Sequence, residues 1–284
     1  MKTSDVARGA AQIAEALEKK PNGQQPKAVF FGGAGVSTES GIPDFRSEKG
    51  LYQAKQVYGY PPEVLLSHEM FVHHPELFYK YYVENLIDLK AKPNPAHIAL
   101  AELEKQGIVT AVVTQNIDGL HQIAGSENVI ELHGSNWRPY CLKCGKQYSL
   151  EWLLDKNNWR KASPAPESLF NPIAKPKPLI SDDAVVPRCE IDDAVVRPDV
   201  VLYGEGLEDN AISQAAKAIS EADMLIVAGT SLAVYPAAGL VNYFRGDTLV
   251  EINLTPTDLD QHADILIAEP VGAVMKEVVN TIGA

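Results

Sequence analysis

Apolar residues along this chain fall into two patterns. Short, mostly apolar runs at Ala28-Val29-Phe30-Phe31, Ile108 to Val113, Met224 to Val227, Thr248 to Ile252 and Ile265 to Ile267 predict strands buried on both faces. A shorter strand is predicted from Asn128 to Leu132, and Val200 to Leu202 reads as a further extended apolar run. Between these runs the spacing turns helical: residues 4 to 20, 95 to 106, 209 to 220 and the C-terminal segment. The helix from Pro95 carries Ile98, Leu100, Ala101 and Leu103 on or near one face. Strands alternating with helices predict an α/β fold built on a doubly wound parallel sheet.

Two stretches interrupt that alternation. From Ser47 to Lys92 there is turn chemistry at Tyr58-Gly59-Tyr60-Pro61-Pro62, then a helical pattern from Pro75 through Leu77, Phe78, Tyr81, Tyr82 and Ile87. From Cys141 to Arg197 the chain is rich in Pro and charge, and Asp182-Asp183-Ala184-Val185-Val186 recurs as Asp192-Asp193-Ala194-Val195-Val196. The repeat is too short for a solenoid unit.

Ligands of doubly wound sheets sit outside the carboxyl ends of the strands. The informative polar clusters fall there: the turn after Phe31, Gln115-Asn116-Asp118, His133, Gly229-Thr230-Ser231 and Asn253. After the first strand, Gly33-Ala34-Gly35 suits a close backbone approach to a pyrophosphate. The third glycine of the ordinary dinucleotide fingerprint is absent, Thr38 or Glu39 standing near its place. Beside this turn Gly41-Ile42-Pro43-Asp44-Phe45-Arg46 sets an acid, an aromatic ring and a guanidinium, which a plain turn does not need. Clusters at successive strand ends define a nucleotide site.

Composition narrows the class. With 284 residues, 45% hydrophobic and 22% charged, the chain has the make-up of a globular enzyme of one large or two smaller domains. A net charge of -12 disfavours nucleic acid and favours basic protein or peptide partners. No apolar run reaches membrane-spanning length and the N-terminal helix lacks a secretory core, which predicts a cytoplasmic protein with no membrane contact. The three cysteines, Cys141, Cys144 and Cys189, include one C-x-x-C pair, which fits metal ligation better than disulfides.

Gly33-Ala34-Gly35-Val36-Ser37, Ser40 through Arg46, Thr114-Gln115-Asn116-Ile117-Asp118, His133-Gly134, Arg197-Pro198-Asp199-Val200-Val201 through Gly204-Glu205, and Gly229-Thr230-Ser231 together resemble a sirtuin. The match spans nearly the whole chain in order. It implies a Rossmann-like NAD-binding domain formed by residues 1–46, 93–137 and 199–284. It also implies a small domain made of a helical module, 47–92, and a zinc-ribbon-like module, 138–198. The activity implied is NAD-dependent removal of acetyl groups from lysines of protein or peptide substrates, releasing nicotinamide and O-acetyl-ADP-ribose.

By the same resemblance, His133 is the general base, aided by Asn116 and Asp118. An imidazole near neutrality can take a ribose hydroxyl proton. The cofactor set comprises Gly33, Ala34, Gly35, Ser37, Asp44, Phe45, Arg46, Gln115, Asn116, Ile117, Asp118, Gly229, Thr230, Ser231, Asn253 and Val271. Asp118 also suits a helix cap. Val201, Tyr203, Gly204 and Glu205, with Val234 and Tyr235, match a cleft in which a substrate peptide adds as a strand. Phe45, Val201 and Tyr203 would line an apolar lysine tunnel, which a neutral amide enters at far lower cost than an ammonium.

Two departures and two competing readings remain. Sirtuins hold structural zinc with two C-x-x-C pairs. Here Cys141-Leu142-Lys143-Cys144 is one, and the other reads Cys189-Glu190-Ile191-Asp192, so the implied ligands are Cys141, Cys144, Cys189 and Asp192. Zinc accepts carboxylate oxygen, with Glu190 or Asp193 as alternatives. Relatives that take acidic acyl chains share a Tyr-x-x-Arg pair. The matching helix here offers Tyr82 and Asn85, which favours neutral acyl groups. The competing functions are ADP-ribosyl transfer from the same NAD site and a non-catalytic NAD-sensing module, against which His133, Asn116 and Asp118 argue.

Overall fold

Strands β1 (Ala28–Gly32), β2 (Val109–Thr114), β3 (Val129–Glu131), β8 (Met224–Ala228), β9 (Thr248–Ile252) and β10 (Ile265–Ile267) pair in parallel in the order β10-β9-β8-β1-β2-β3. This computed structural model describes residues 5–18, 23, 25–43, 55–161 and 185–283. Asp44, Phe45 and Arg46, and Asp182 to Ala184 of the repeat, lie outside the described residues. The first strand is central: Phe30 pairs with Val112 on one side and Ile226 on the other.

Alternating side chains of these strands feed two cores. Phe30, Val112, Ile226 and Val250 face helices α1 (Asp5–Ala16), α5 (Pro95–Lys105) and α9 (Val271–Ile282), while Phe31, Val113 and Val227 face α8 (Asp209–Ser220) and the 3₁₀ helix Ala237–Tyr243. Both faces are covered, so the strands read as continuous apolar runs. In α5 the buried stripe is Ala96, Ala99, Leu100 and Leu103, and Ile98 points outward at 57% exposure. Asn94 caps that helix by accepting from Ala96 N–H at 2.9 Å.

The chain separates into two compact units, one of residues 1–44, 90–133 and 207–284, the other of 45–89 and 134–206. Residues 134–137 and 199–206, grouped by their sequence with the nucleotide domain, fall in the second unit. The reason is a ladder: β4 (Gly134–Cys141) and β7 (Val196–Val200) pair antiparallel, Gly134 opposite Val200 and Cys141 opposite Val196. Of the run expected at Val200 to Leu202, Val200 ends this ladder, Val201 and Leu202 lie outside any strand, and none of the three takes part in the parallel sheet.

The second unit also contains helices α2 (Pro62–Leu65), α3 (His68–His73), α4 (Pro75–Asn85) and α7 (Leu150–Leu154), and a small pair, β5 (Trp159–Lys161) with β6 (Val185–Pro187). Its core is aromatic. Phe78 stacks on Tyr82 at 5.7 Å between ring centres, and Tyr79 meets Phe71, Phe78 and Trp159 edge-on. Helix α6 (Leu120–Ala124) belongs to the first unit.

Candidate functional site

The loops leaving β1 and β8 meet where the strand order reverses, and they touch backbone to backbone. Gly33 N–H donates to Ala228 C=O at 3.3 Å and Gly35 N–H to Gly229 C=O at 2.8 Å. A Cβ on Gly35 would lie 2.7 Å from the Cα of Gly229, and Gly229 itself has φ +58°. The glycines thus allow one loop to cross the other, a role beyond the anion approach read from their spacing. Ala34 N–H, between them, has no partner among the described residues.

Around this crossing the strand ends bring together the polar residues expected there. Ser37 O–H donates to Asp118 Oδ2 at 2.7 Å, and Asn116 Nδ2 donates to Ser37 Oγ at 3.0 Å. Asp118 also accepts Leu120 N–H at 2.9 Å from the position before the N-cap, which is Gly119 and not Asp118. Burial pushes the Asp118 carboxyl upward, opposed in part by the Leu120 N–H and the Ser37 hydroxyl. Gln115 Nε2 donates to Thr230 Oγ1 at 3.0 Å. Asn253 clasps the backbone of Thr230, accepting its N–H at 3.0 Å and donating to its C=O at 3.1 Å. Ile117 is half-buried, Ser231 exposed, and Val271 buried at the start of α9.

His133 follows β3, with Nδ1 2.8 Å from the carbonyl oxygen of Gln115. A carbonyl only accepts, so Nδ1 carries the hydrogen and Nε2 holds the lone pair. That is the tautomer a base needs. Amide, carboxylate, hydroxyl and imidazole groups converging on strand ends suit the hydroxyls and amides of a dinucleotide.

In the second unit Cys141, Cys144, Cys189 and Asp192 place their ligand atoms within 4.8 Å of one another. Cys144 Sγ lies 3.7 Å from Cys189 Sγ, and Cys141 Sγ 3.3 Å from Asp192 Oδ1. A tetrahedron with zinc–sulfur bonds of ~2.3 Å has edges of ~3.8 Å, somewhat shorter to oxygen, so the donor set fits the ion. The two halves have the same backbone. Cys141 N–H bonds Lys146 C=O and Gly145 N–H bonds Cys141 C=O, while Cys189 N–H bonds Ala194 C=O and Asp193 N–H bonds Cys189 C=O. Gly145 has φ +70° and Asp193, its counterpart, +58°. The sulfurs of Cys141 and Cys189 accept from Lys143 N–H at 3.3 Å and Ile191 N–H at 3.4 Å. Glu190 is turned away: its carboxylate meets Lys146 at 2.6 Å and Trp152 Nε1 at 3.2 Å.

The segment from Val201 to Glu205 is held from behind. Glu205 accepts Arg197 through both guanidinium nitrogens, at 2.9 and 3.0 Å, Leu202 N–H at 2.9 Å and His68 Nδ1 at 2.8 Å. Its side chain therefore braces the segment from the inside. Tyr203 N–H donates to Leu66 C=O at 3.0 Å and Tyr203 C=O accepts His68 N–H at 2.9 Å. Gly204, at φ +91°, has open space where a Cβ would project. Val234 and Tyr235 belong to the first unit, with Tyr235 75% exposed.

Tyr82 and Asn85, three residues apart on α4, bond to different partners. Tyr82 is fully buried and its hydroxyl donates to Asn136 Oδ1 at 2.7 Å, whereas Asn85 Nδ2 donates to Tyr58 Oη at 2.9 Å. Two residues of consequence, Asn94 and His68, escaped the sequence reading, and Arg197 entered it only as part of a motif without a role of its own. Asn94 ties its helix to the cofactor turn through Val36 C=O at 2.7 Å, and Arg197 and His68 set the Glu205 brace. Asn94-Pro95, a capping residue before a first-turn proline, was a readable signal, whereas His68 had none.

A parallel sheet with crossed glycine loops at its switch point, in a chain whose other unit carries a Cys₃Asp donor cluster that fits zinc, defines an α/β nucleotide-using enzyme of the sirtuin type. The Sir2 family model matches residues 33–236. An NAD-dependent protein deacetylase of Clostridium acetobutylicum is 50% identical over 92% of this chain and 96% of its own length. One from Sulfolobus acidocaldarius is 39% identical over 96% and 95%. A solved Sir2 structure with a p53 peptide and NAD+ superposes with a TM-score of 0.75 at 36% identity, covering 96% of this chain and 98% of that one. Another, with a deacetylated p53 peptide and 3′-O-acetyl-ADP-ribose, reaches 0.76 at 36% identity over the same shares. The chain belongs to the Sir2 family.

Proposed function

We propose that this chain is an NAD-dependent protein deacetylase, removing acetyl groups from lysine side chains with release of nicotinamide and O-acetyl-ADP-ribose. Its relatives bear that activity in their names. The observation that carries the reading is the fixed tautomer of His133, whose Nδ1–H is spent on Gln115 C=O. NAD supplies the acyl acceptor, its ADP-ribose part taking the acetyl group as nicotinamide leaves. His133 Nε2 takes the proton from a ribose hydroxyl. Asn116, Ser37 and Asp118, joined by hydrogen bonds of 2.7 and 3.0 Å, orient the nicotinamide end. Thr230 and Asn253 serve the phosphate and adenosine side, with Gly33, Ala34, Gly35 and Gly229 shaping the turn between.

The substrate enters as an extended peptide along Val201, Tyr203 and Gly204, where the open side of Gly204 leaves room for a neighbouring backbone. Substrates are basic proteins or peptides, in keeping with the charge of -12. Neither nucleic acid nor membrane is a partner; among the described residues no helix is long and apolar enough to cross a membrane. The protein works in the cytoplasm. Cys141, Cys144, Cys189 and Asp192 hold structural zinc, which ties the two knuckles together.

The test is incubation with an acetyl-lysine peptide and NAD, following nicotinamide and acetyl-ADP-ribose by mass. Wild type should form both, and His133→Ala should lose roughly 10²-fold or more in turnover while still binding NAD. ADP-ribosylated protein without peptide deacetylation would favour the transferase reading instead. NAD binding with no product of either kind would leave only a sensor.

A further inference from the structure

We infer that His68 is a specificity-determining residue that reads the side chain flanking the acetyl-lysine and selects a hydrogen-bond donor there, above all a basic one. This rests on the deacetylase reading and on a peptide lying along Val201 to Gly204.

The geometry starts at Glu205. Its two oxygens receive four donors: Arg197 twice, Leu202 N–H and His68 Nδ1. A carboxylate has about four lone-pair sites, so this one is saturated. Ionised Glu205 can only accept, so whenever the His68 ring is neutral its Nδ1 carries the hydrogen. The other ring nitrogen, Nε2, is then left with its lone pair. It has no partner among the described residues, and the side chain is 39% exposed.

His68 is also held by its backbone against the segment proposed to receive the peptide. Its N–H donates to Tyr203 C=O at 2.9 Å, and Leu66 C=O accepts Tyr203 N–H at 3.0 Å. Residues 66–68 thus lie alongside residue 203, Ser67 forming a single parallel bridge to Tyr203 just before α3 begins. Arg197 and Glu205 cancel in charge, so with a neutral imidazole the cluster presents an acceptor with no net charge of its own. A carboxylate beside the acetyl-lysine would place lone pair against lone pair. An N–H or O–H would bond. Among donors, the overall charge of -12 favours cationic ones.

The experiment separates this short-range contact from long-range attraction. Acetyl-lysine peptides carrying arginine, citrulline, norleucine or glutamate in turn at each flanking position are compared by kcat/KM. Citrulline donates like arginine but is uncharged, so its advantage over norleucine is independent of the overall field. At one flanking position wild type should prefer citrulline to norleucine by roughly five- to tenfold, the size of one exposed hydrogen bond. His68→Asn keeps a donor for Glu205 and removes the outer nitrogen, and should bring that ratio close to one. Addition of salt should weaken the arginine preference but leave the citrulline ratio in place. A wild-type ratio near one at every position, or a ratio unchanged in His68→Asn, overturns the inference. Failure of every peptide to be deacetylated by wild type overturns the deacetylase reading itself.

Discussion

Asp192 stands in its knuckle where Cys144 stands in the other, three residues after a cysteine and one before a residue of positive φ. The shared backbone bonds around Cys141 and Cys189 make the correspondence one of structure as well as spacing. Protein prepared without added metal should contain close to one zinc per chain. Zinc transfer to a chromogenic chelator should be faster by about tenfold in Asp192→Ala, faster still in Cys189→Ala, and slower than wild type in Asp192→Cys. Metal-free protein of full thermal stability would refute the assignment.

Gly35 and Gly41 offer a paired test of the cofactor turn. A methyl group on Gly35 meets the Cα of Gly229 at 2.7 Å, while one on Gly41 meets nothing within 4 Å and suffers only from φ +88°. Gly35→Ala should cost about 2–3 kcal/mol and abolish the rise in Tm that NAD produces. Gly41→Ala should cost about 1 kcal/mol and keep that rise. Equal behaviour of the two variants in a melting experiment would argue against the crossing.

His97 and His121 lie ring to ring at 4.6 Å, with 0% and 1% exposure. Burial lowers His97 to about 4; burial, with His97 beside it, lowers His121 to about 3. The unfolded chain binds these protons near pH 6.5, so folding is favoured above that pH and weakened below it. Between about pH 6 and 4 each histidine should remove up to ~1.4 kcal/mol per pH unit. Urea titrations across that range should show the loss, and His121→Phe, set beside Phe30, should roughly halve its slope. An unaltered slope would place the acid sensitivity elsewhere.

Glu205 answers to acid in a lower window. Although burial alone would raise its carboxyl, Arg197, the Leu202 N–H and His68 hold it below the usual glutamate value. Its contribution is complete above about pH 4.3 and is lost as pH falls through the depressed folded value. Glu205→Gln leaves the Arg197 guanidinium, 10% exposed, without its charge partner and should destabilise by roughly 3 kcal/mol at pH 7. Denaturant melts of the two proteins should converge as the pH drops. A constant gap down to acid would contradict the pairing.

Much of the parallel sheet was legible because runs such as Ala28 to Phe31 and Met224 to Val227 are buried on both faces and carry no competing period. The ladder of β4 and β7 was hidden by its mixed burial: Trp137 and Arg138 are exposed while Ser135 and Asn136 are buried, which breaks any two-residue alternation. Tyr82 enters as a substrate contact through the Tyr-x-x-Arg pair of the family resemblance. Only packing reveals that Asn136, 54 positions away, consumes its hydroxyl. Glu251 is the converse case, a wholly buried acid in β9 that Asn253 and Thr257 supply with hydrogen bonds. Asp192 was readable through spacing, and the Arg197–Glu205 brace was not, since eight residues of separation encode no contact.

The crossing of the β1 and β8 loops has a bearing on how the protein is made. Strand β1 leaves the ribosome early, but its partner on one side is β8, and Lys27 waits for Asp223, 196 positions later. Until then the edge of Val29, Phe30 and Phe31 that β8 will cover stays unpaired, a template for pairing with other nascent chains. Translation of the second unit falls within that delay. Fragments ending before Gly229 would lack the loop crossing and the Thr230–Asn253 side of the site, so a captured nascent chain should gain affinity for NAD abruptly, once about the last fifth of the sequence has emerged.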